Sequence, residues 1–214
     1  MGIAERRERE RQQMRRQILD AARELFVAEG YDAVTMRRIA ETIEYSATAI
    51  YSHFKDKDTL IRELCREDST SLAQRFHAIA AEADPLERLR QIGMAYVDFG
   101  TTHPNHYRLM FMSSHPLDAA DLMQIGHGNP EEDGYAFLVA TVAEAIAGGL
   151  LRADIQDPHL AAQAFWAGGH GVVALHLAKR GDPWVDWRPL QETAALVIDT
   201  IIEGLQRKKG SAHG

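Results

Sequence analysis

Between residues 14 and 26, apolar side chains recur at intervals of three and four. Met14, Ile18, Ala21, Ala22, Leu25 and Phe26 therefore share one face of a helix. The same spacing runs through the rest of the chain, and the alternation by two that marks a strand is almost absent. This pattern restricts the chain to an all-α fold. Punctuation residues divide it. Gly30 ends the first helix, because glycine accepts a positive φ without strain. Thr35 is placed to cap a second helix with Met36, Ile39, Ala40 and Ile43 inward. After the gap Glu44-Tyr45-Ser46, Ser46 caps a short third helix with Ala47, Ile50 and Phe54 inward. Asp56 caps a long fourth helix carrying Leu60, Leu64, Leu72, Phe76 and Ile79, expected to end near Asp84-Pro85. Helices over about 85–102 and 104–112 follow, then a loop over 113–133. Three more helices are expected near 133–150, 157–180 and 188–208, and a fraying tail beyond.

Two short helices joined by a three-residue turn and packed on a first helix describe a helix-turn-helix unit, whose second helix enters the major groove of DNA. Turning Ala47, Ile50 and Phe54 inward leaves Thr48, Ala49, Tyr51 and Ser52 facing out. Small residues let the backbone approach base edges, and the methyls of Thr48 and Ala49 suit a thymine methyl. Tyr51 and His53 have the reach for phosphates. Lys57 lies in the first turn of the fourth helix, where a cation opposes the helix dipole unless an anion sits there. The expected DNA contacts are Thr35, Arg37, Arg38, Ser46, Ala47, Thr48, Ala49, Tyr51, Ser52, His53 and Lys57. A net charge of −7 does not conflict with this, because the acid is unevenly spread. Residues 1–62 hold 12 Lys and Arg against 11 Asp and Glu, and the remainder hold 12 against 20.

Residues 14–61 resemble the N-terminal domain of the TetR family of transcriptional repressors. The resemblance is carried by Gly30-Tyr31, Thr35, Ile39-Ala40, Ser46, Ile50-Tyr51, His53-Phe54, Lys57 and Leu60 at fixed spacing. It implies a DNA-binding domain over 1–57 and an all-helical ligand-binding and dimerisation domain over 58–210. It further implies a homodimer that holds a double-stranded DNA operator, usually as a repressor, and answers to a small-molecule effector. Two departures stand out. Where the family has small-Gly-hydrophobic before the serine, this chain has Ile43-Glu44-Tyr45, and a non-glycine residue in a left-handed turn costs about 1 kcal/mol. Ala47 stands where a basic residue is common. Pro104 to Phe111 and Trp166-Ala167-Gly168-Gly169-His170-Gly171 resemble the WHG-type C-terminal domain of some TetR regulators.

In that second domain Tyr96, Tyr107, Met110, Phe111, Phe137 and Trp166 are candidates to line a small, mostly apolar ligand. His170, four residues after Trp166, is either the polar group that orients the ligand or a buried histidine bonded to a backbone carbonyl. Phe165, Val172 and His176, with Ala194, Val197, Ile198, Ile201 and Leu205, are candidates for the dimer interface, because the last two helices carry too many apolar positions for one buried stripe. Gly168, Gly169 and Gly171 disfavour a helix unless another helix approaches closely.

Arg6, Arg7, Arg9, Arg11, Arg15 and Arg16 form either an arm along DNA or a solvated helix paired with Glu5, Glu8 and Glu10. His103, His106 and His115 lack a recognised ligand spacing, so no metal and no cofactor are expected. No nucleophile motif or phosphate loop argues for an enzyme. A DNA-binding architectural protein without effector is the rival reading. One cysteine, Cys65, and no apolar run of about 18 residues point to a cytoplasmic protein off the membrane.

Overall fold

The computed structural model describes residues 2–114, 121 and 126–207. Nine helices are described: α1 (Ile3–Glu29), α2 (Met36–Thr42), α3 (Ala47–Tyr51), α4 (Lys57–His77), α5 (Pro85–Thr102), α6 (Pro104–Met112), α7 (Gly134–Ala147), α8 (Pro158–Lys179) and α9 (Leu190–Leu205). No strand is present among the described residues; Leu151 and Gln206 form an isolated bridge. The all-α expectation holds. The tail beyond 207 and His115 lie outside the described residues, as do 115–120 and 122–125 of the expected 113–133 loop.

The chain forms two compact units. One comprises 1–68 with 105–125, and the other 69–104 with 126–214. Helix α4 contributes its first part to one unit and its second part to the other. The first unit has a core of Ile18, Leu19, Phe26, Ile39, Ile50, Phe54, Leu60, Ile61 and Leu64, each 2% exposed or less, and Leu109 of α6 joins it. That is the face the period of three and four defines, with Leu19 added.

The second unit is built from α5, α7, α8 and α9. Acidic N-caps start three of these helices: Asp84 accepts from Leu86 N, Asp133 from Tyr135 N, and Asp157 from His159 N, at 2.9, 2.8 and 2.8 Å. Pro85 and Pro158 follow two of the caps, in the first turn where the missing N–H is not needed. Gly93 of α5 lets the chain approach α9: a Cβ there would lie 2.8 Å from Ile198 Cδ1 and 3.0 Å from Phe165 Cζ. Gly168 does the same for Val197 and Ile201. Gly93 and Gly168 are thus offset by close packing, as expected for Gly168. Gly171 faces open space.

Helix α4 is shorter than its sequence suggests. The run Ala78-Ile79-Ala80-Ala81-Glu82-Ala83 has good helix propensity, yet α4 ends at His77 and the chain turns through 3₁₀-type bonds, Ile79 N to Phe76 O and Ala80 N to His77 O. Tertiary contacts override propensity here. Phe76 is buried against Phe137, ring centroids 6.2 Å apart. The Arg88 guanidinium donates twice to the Glu82 carbonyl, at 2.8 and 2.6 Å, and so satisfies the turn from outside.

Candidate nucleic-acid interface

The first unit folds α2 and α3 as the caps dictate. Thr35 Oγ1 accepts from Arg38 N at 3.1 Å, and Ser46 Oγ accepts from Ala49 N at 3.2 Å. Between the helices, Glu44 takes φ 59°, the only positive φ at a non-glycine position among the described residues. Tyr45 N donates to Ala40 O at 2.9 Å and Glu44 N to Glu41 O at 3.2 Å, so the turn is a Schellman closure of α2. The turn expected from the sequence is made with glutamate in the left-handed position that favours glycine.

Ile50 and Phe54 are buried, and Ala47 packs against the same core. Thr48, Tyr51 and Ser52 are exposed and Ala49 is half-buried, so α3 and its C-terminal cap show a face of hydroxyl side chains, small except for Tyr51. Tyr51 is 53% exposed. The Ser52 hydroxyl donates to Ala49 O at 2.6 Å and closes the end of α3. Arg37 and Arg38 are exposed at the start of α2 and reach Glu41 and Glu29, both at 3.0 Å. Pairs this exposed are weak and exchange readily for phosphate. His53 is half-buried, and its pKa is lowered by desolvation first and then by the positive charges of Arg11 and Arg15. Imidazole therefore stays neutral at pH 7 and can present a single N–H donor.

Lys57 lies in the first turn of α4, and its side chain reaches back to the turn between α1 and α2. Its ammonium donates to Tyr31 O at 2.8 Å and Val34 O at 3.0 Å, and it lies 4.1 Å from the centroid of the Tyr31 ring. The cation fixes the turn between α1 and α2 and compensates two carbonyls. The neighbouring Tyr31 hydroxyl donates to Asp58. Asp56 accepts from Thr59 N at 2.7 Å and Thr59 Oγ1 at 2.6 Å, capping α4 as expected, and these bonds hold its pKa below the usual carboxylate range.

One cluster has no local sequence signal. Asp68 of α4, 1% exposed, accepts from Arg23 Nη2 at 2.9 Å and Nε at 3.3 Å, and its Oδ1 lies 2.7 Å from His106 Nδ1. Arg23 is itself buried and also reaches Asp20. The partners of Asp68 are 45 and 38 residues away, so no spacing rule could pair them. Together they tie α1, α4 and α6 within the first unit. His106 is thereby a partner of a carboxylate. His103 stacks on Phe99 at 5.4 Å, and no group of three His, Cys, Asp or Glu side chains among the described residues is placed to hold a metal.

The expected ligand residues divide between the units. Tyr107, Met110 and Phe111 belong to the first, where Tyr107 is fully buried and its ring lies 5.1 Å from that of Phe111. Tyr96, Phe137, Trp166 and His170 belong to the second. There the Trp166 indole donates to the Tyr96 hydroxyl at 2.9 Å, which lies 3.3 Å from His170 Nδ1. His170 thus has a tyrosine hydroxyl among its partners.

Among the expected dimer residues, Phe165, Val172 and Ile198 are buried in the core of the second unit itself, and Ala194 joins them. They are core because α8 packs on both α5 and α9, which takes up more than one of its faces. His176, Val197, Ile201 and Leu205 remain half-exposed. The free apolar stripe follows a neighbouring register: Leu160, Ala164, Ala167, Gly171 and Leu175 on α8, with Leu196 on α9. Leu160, Leu175 and Leu196 are 67%, 56% and 68% exposed.

Comparison with known proteins agrees with this architecture. Residues 18–64 match the description "Bacterial regulatory proteins, tetR family", and residues 89–201, more than half of the chain, match "Tetracyclin repressor-like, C-terminal domain". The HTH-type transcriptional repressor Rv1474c of Mycobacterium tuberculosis is 51% identical over 59 residues, 28% of this chain and 32% of that protein. The match therefore spans about a third of that relative's length. The ketosteroid transcriptional regulator KstR2 of Mycobacterium tuberculosis has the same fold, with a TM-score of 0.69 at 22% identity over 91% of this chain and 96% of that one. AibR, solved in complex with isovaleryl coenzyme A and operator DNA, gives a TM-score of 0.67 at 23% identity over 90% and 97%. Among the described residues no helix is long and apolar enough to cross a membrane. With the N-terminal unit matched, more than half the chain matched again behind it, and the fold shared along nearly its whole length, the chain is a member of the tetR family of bacterial regulatory proteins.

Proposed function

We propose that the protein is a homodimeric DNA-binding transcriptional regulator, a repressor released from its operator by a small, mostly apolar ligand. The observation that carries the DNA-binding part is the exposed face of α3. Thr48, Ala49, Tyr51 and Ser52 stand outward on a helix held by Ser46 at one end and by the buried Ile50 and Phe54 beneath. Thr48 and Ala49 are the base-edge contacts, Tyr51 and His53 the phosphate contacts, and Arg37 and Arg38 further phosphate contacts at the start of α2. The dimer is supported by the exposed stripe on α8 and α9, since apolar side chains this exposed and this aligned call for a covering surface. A two-fold pair would offer two α3 helices to successive major grooves about 34–36 Å apart.

The ligand reading is supported by the aromatic and methionine content of both units and by the Tyr96–Trp166–His170 network, which offers polar atoms beside apolar rings. The relatives named for a ketosteroid and solved with an acyl coenzyme A suggest a hydrophobic acyl or polycyclic compound. Selection of duplexes from a random-sequence pool, followed by fluorescence anisotropy on the winning site, tests the DNA claim. Tyr51→Ala is expected to weaken binding across sequences, and Thr48→Ala to change base preference without changing salt dependence. Calorimetric titration of isovaleryl coenzyme A and of a ketosteroid into free and operator-bound protein tests the effector. Coupling is typically about 1–3 kcal/mol and must be reciprocal. Equal affinities for both forms would remove the release mechanism.

A further inference from the structure

We propose that the face of α1 bearing Arg7 and Arg11 is a second DNA contact, taking the phosphate backbone of the duplex beside the stretch read by α3. It rests on the DNA-binding reading above. Helix α1 runs unbroken from Ile3 to Glu29, but its buried residues begin only at Ile18. Positions 7, 11, 14, 18, 22 and 25 follow one another by fours and threes and so share a face. From Ile18 onward that face is the core of the unit. Ahead of it the same face carries Arg7, Arg11 and the half-buried Met14, and residues 2–13 are all exposed. The core-side stripe therefore continues past the core as a basic stripe.

Its direction is fixed by Arg15, one helical turn further on. The Arg15 guanidinium lies over the Phe54 ring, 4.7 Å from its centroid, and pairs with Glu63. Phe54 closes the segment that follows α3. Arg11 and Arg15 are also near enough to His53 to disfavour its protonation. The arginine face thus adjoins the α3 segment within one compact unit. Acidic neighbours are drawn to its margins: Glu10 pairs with Arg6 at 3.4 Å, and Glu8 bonds Gln12 at 2.7 Å while only grazing Arg11 at 4.0 Å. Arg7 makes no ion pair among the described residues. Residues 3–16 hold six arginines and three glutamates in a chain of net charge −7. An exposed guanidinium row next to a groove-reading helix is complementary to the next phosphates of the same duplex. From Arg7 to Arg15 the row extends about 12 Å at 1.5 Å per residue, which is about three to four base pairs at 3.4 Å each.

The test uses the full chain and a selected site embedded in two duplexes, one ending at the site and one longer by about one helical turn (roughly 10 bp) at each end. Wild type is expected to bind the longer duplex more tightly and with a steeper salt dependence. Arg7→Gln with Arg11→Gln should remove that advantage and reduce the slope by about 0.9 for each phosphate that is no longer neutralised, about 2 for the pair in one protomer. Base preference should not change. Arg15 is left in place because it supports Phe54. The double variant Arg9→Gln with Arg16→Gln removes the same charge from the opposite face and should keep both the flank dependence and most of the slope. Glutamine retains helix propensity, and circular dichroism checks the fold of each variant. Equal weakening in both double variants would reduce the effect to a general field and overturn the proposal, as would a slope unmoved by Arg7 and Arg11. If wild type binds no duplex at all, the DNA-binding reading falls with it; if Tyr51→Ala abolishes binding while the arginine variants change nothing, that reading stands and this one does not.

Discussion

Replacing Glu44 by glycine should stabilise the protein. Glu44 holds φ 59° in the turn between α2 and α3. In that region the Cβ of an L-residue crowds the following carbonyl, at a cost of about 1–2 kcal/mol. Glycine removes the crowding but loses more backbone freedom on folding, which returns about 0.5–1 kcal/mol. The net gain is about 0.5–1 kcal/mol. For a chain of this length, about 2–4 °C per kcal/mol turns that into a rise of about 1–4 °C in the unfolding midpoint. Glu44→Gln separates charge from strain, since glutamine keeps the Cβ and should gain nothing from the backbone. The assay is far-UV circular dichroism, because all three tryptophans, Trp166, Trp184 and Trp187, fall in the second unit and their fluorescence reports on that unit alone. Hydrogen exchange at the Tyr45 amide, which donates to Ala40 O, gives the local reading. A Glu44→Gly protein no more stable than Glu44→Gln, with unchanged exchange at Tyr45, would refute the left-handed strain.

Other outcomes follow from the same geometry. Arg23→Met leaves the Asp68 carboxylate buried without its guanidinium and should cost about 3–5 kcal/mol by denaturant unfolding; a loss under 1 kcal/mol would mean that Asp68 is better solvated than its burial indicates. Burial, with the Asp68 charge adding to it, pushes the Cys65 thiol up to about 12, so a disulfide reagent at pH 8 should label it only as fast as the protein opens; prompt labelling of the folded protein would contradict this. Leu175→Glu with Leu196→Glu puts two charges on the exposed stripe and should give a monomer by light scattering at micromolar concentration, whereas an unaltered dimer would move the interface elsewhere. Arg11→Gln should bring the His53 pKa back up toward its ordinary value in an NMR titration, although desolvation, the larger cause, remains. Because the folded pKa is lowered, His53 contributes stability above its unfolded pKa of about 6.5 that is lost as pH falls through and below it, and this acid-side loss should shrink in the variant.

The parts of the fold governed by local rules can be read from the chain. Thr35, Ser46, Asp56, Asp84, Asp133 and Asp157 each precede a helix and have side chains matched to its first free amides, and the period of three and four identifies the inward faces of α1 to α3. Long-range pairing cannot be read. Asp68 gives no hint of Arg23 or His106, because nothing in a sequence registers which distant side chain will satisfy a buried carboxylate. The end of α4 is hidden for the same reason: its continuation has helix propensity, and Arg88 and the Phe76–Phe137 contact decide otherwise. Lys57 illustrates a different gap. Its position in the first turn of α4 suggests an anion, but the sequence does not show that two backbone carbonyls, Tyr31 O and Val34 O, take two of its three donors. On α8 the apolar positions are indeed too many for one stripe, yet which stripe stays free depends on where α5 and α9 pack, and Phe165 and Val172 turn inward.

The proposed function depends on contact between the α2–α3 face and DNA. Hydrogen–deuterium exchange of the full chain with and without its selected duplex tests it without mutation. Protection should appear at the amides of residues 35–38 and 46–53, with the Tyr31–Val34 turn held by Lys57 little changed. Protection confined to the second unit, with residues 46–53 exchanging at the same rate in both states, would contradict the account.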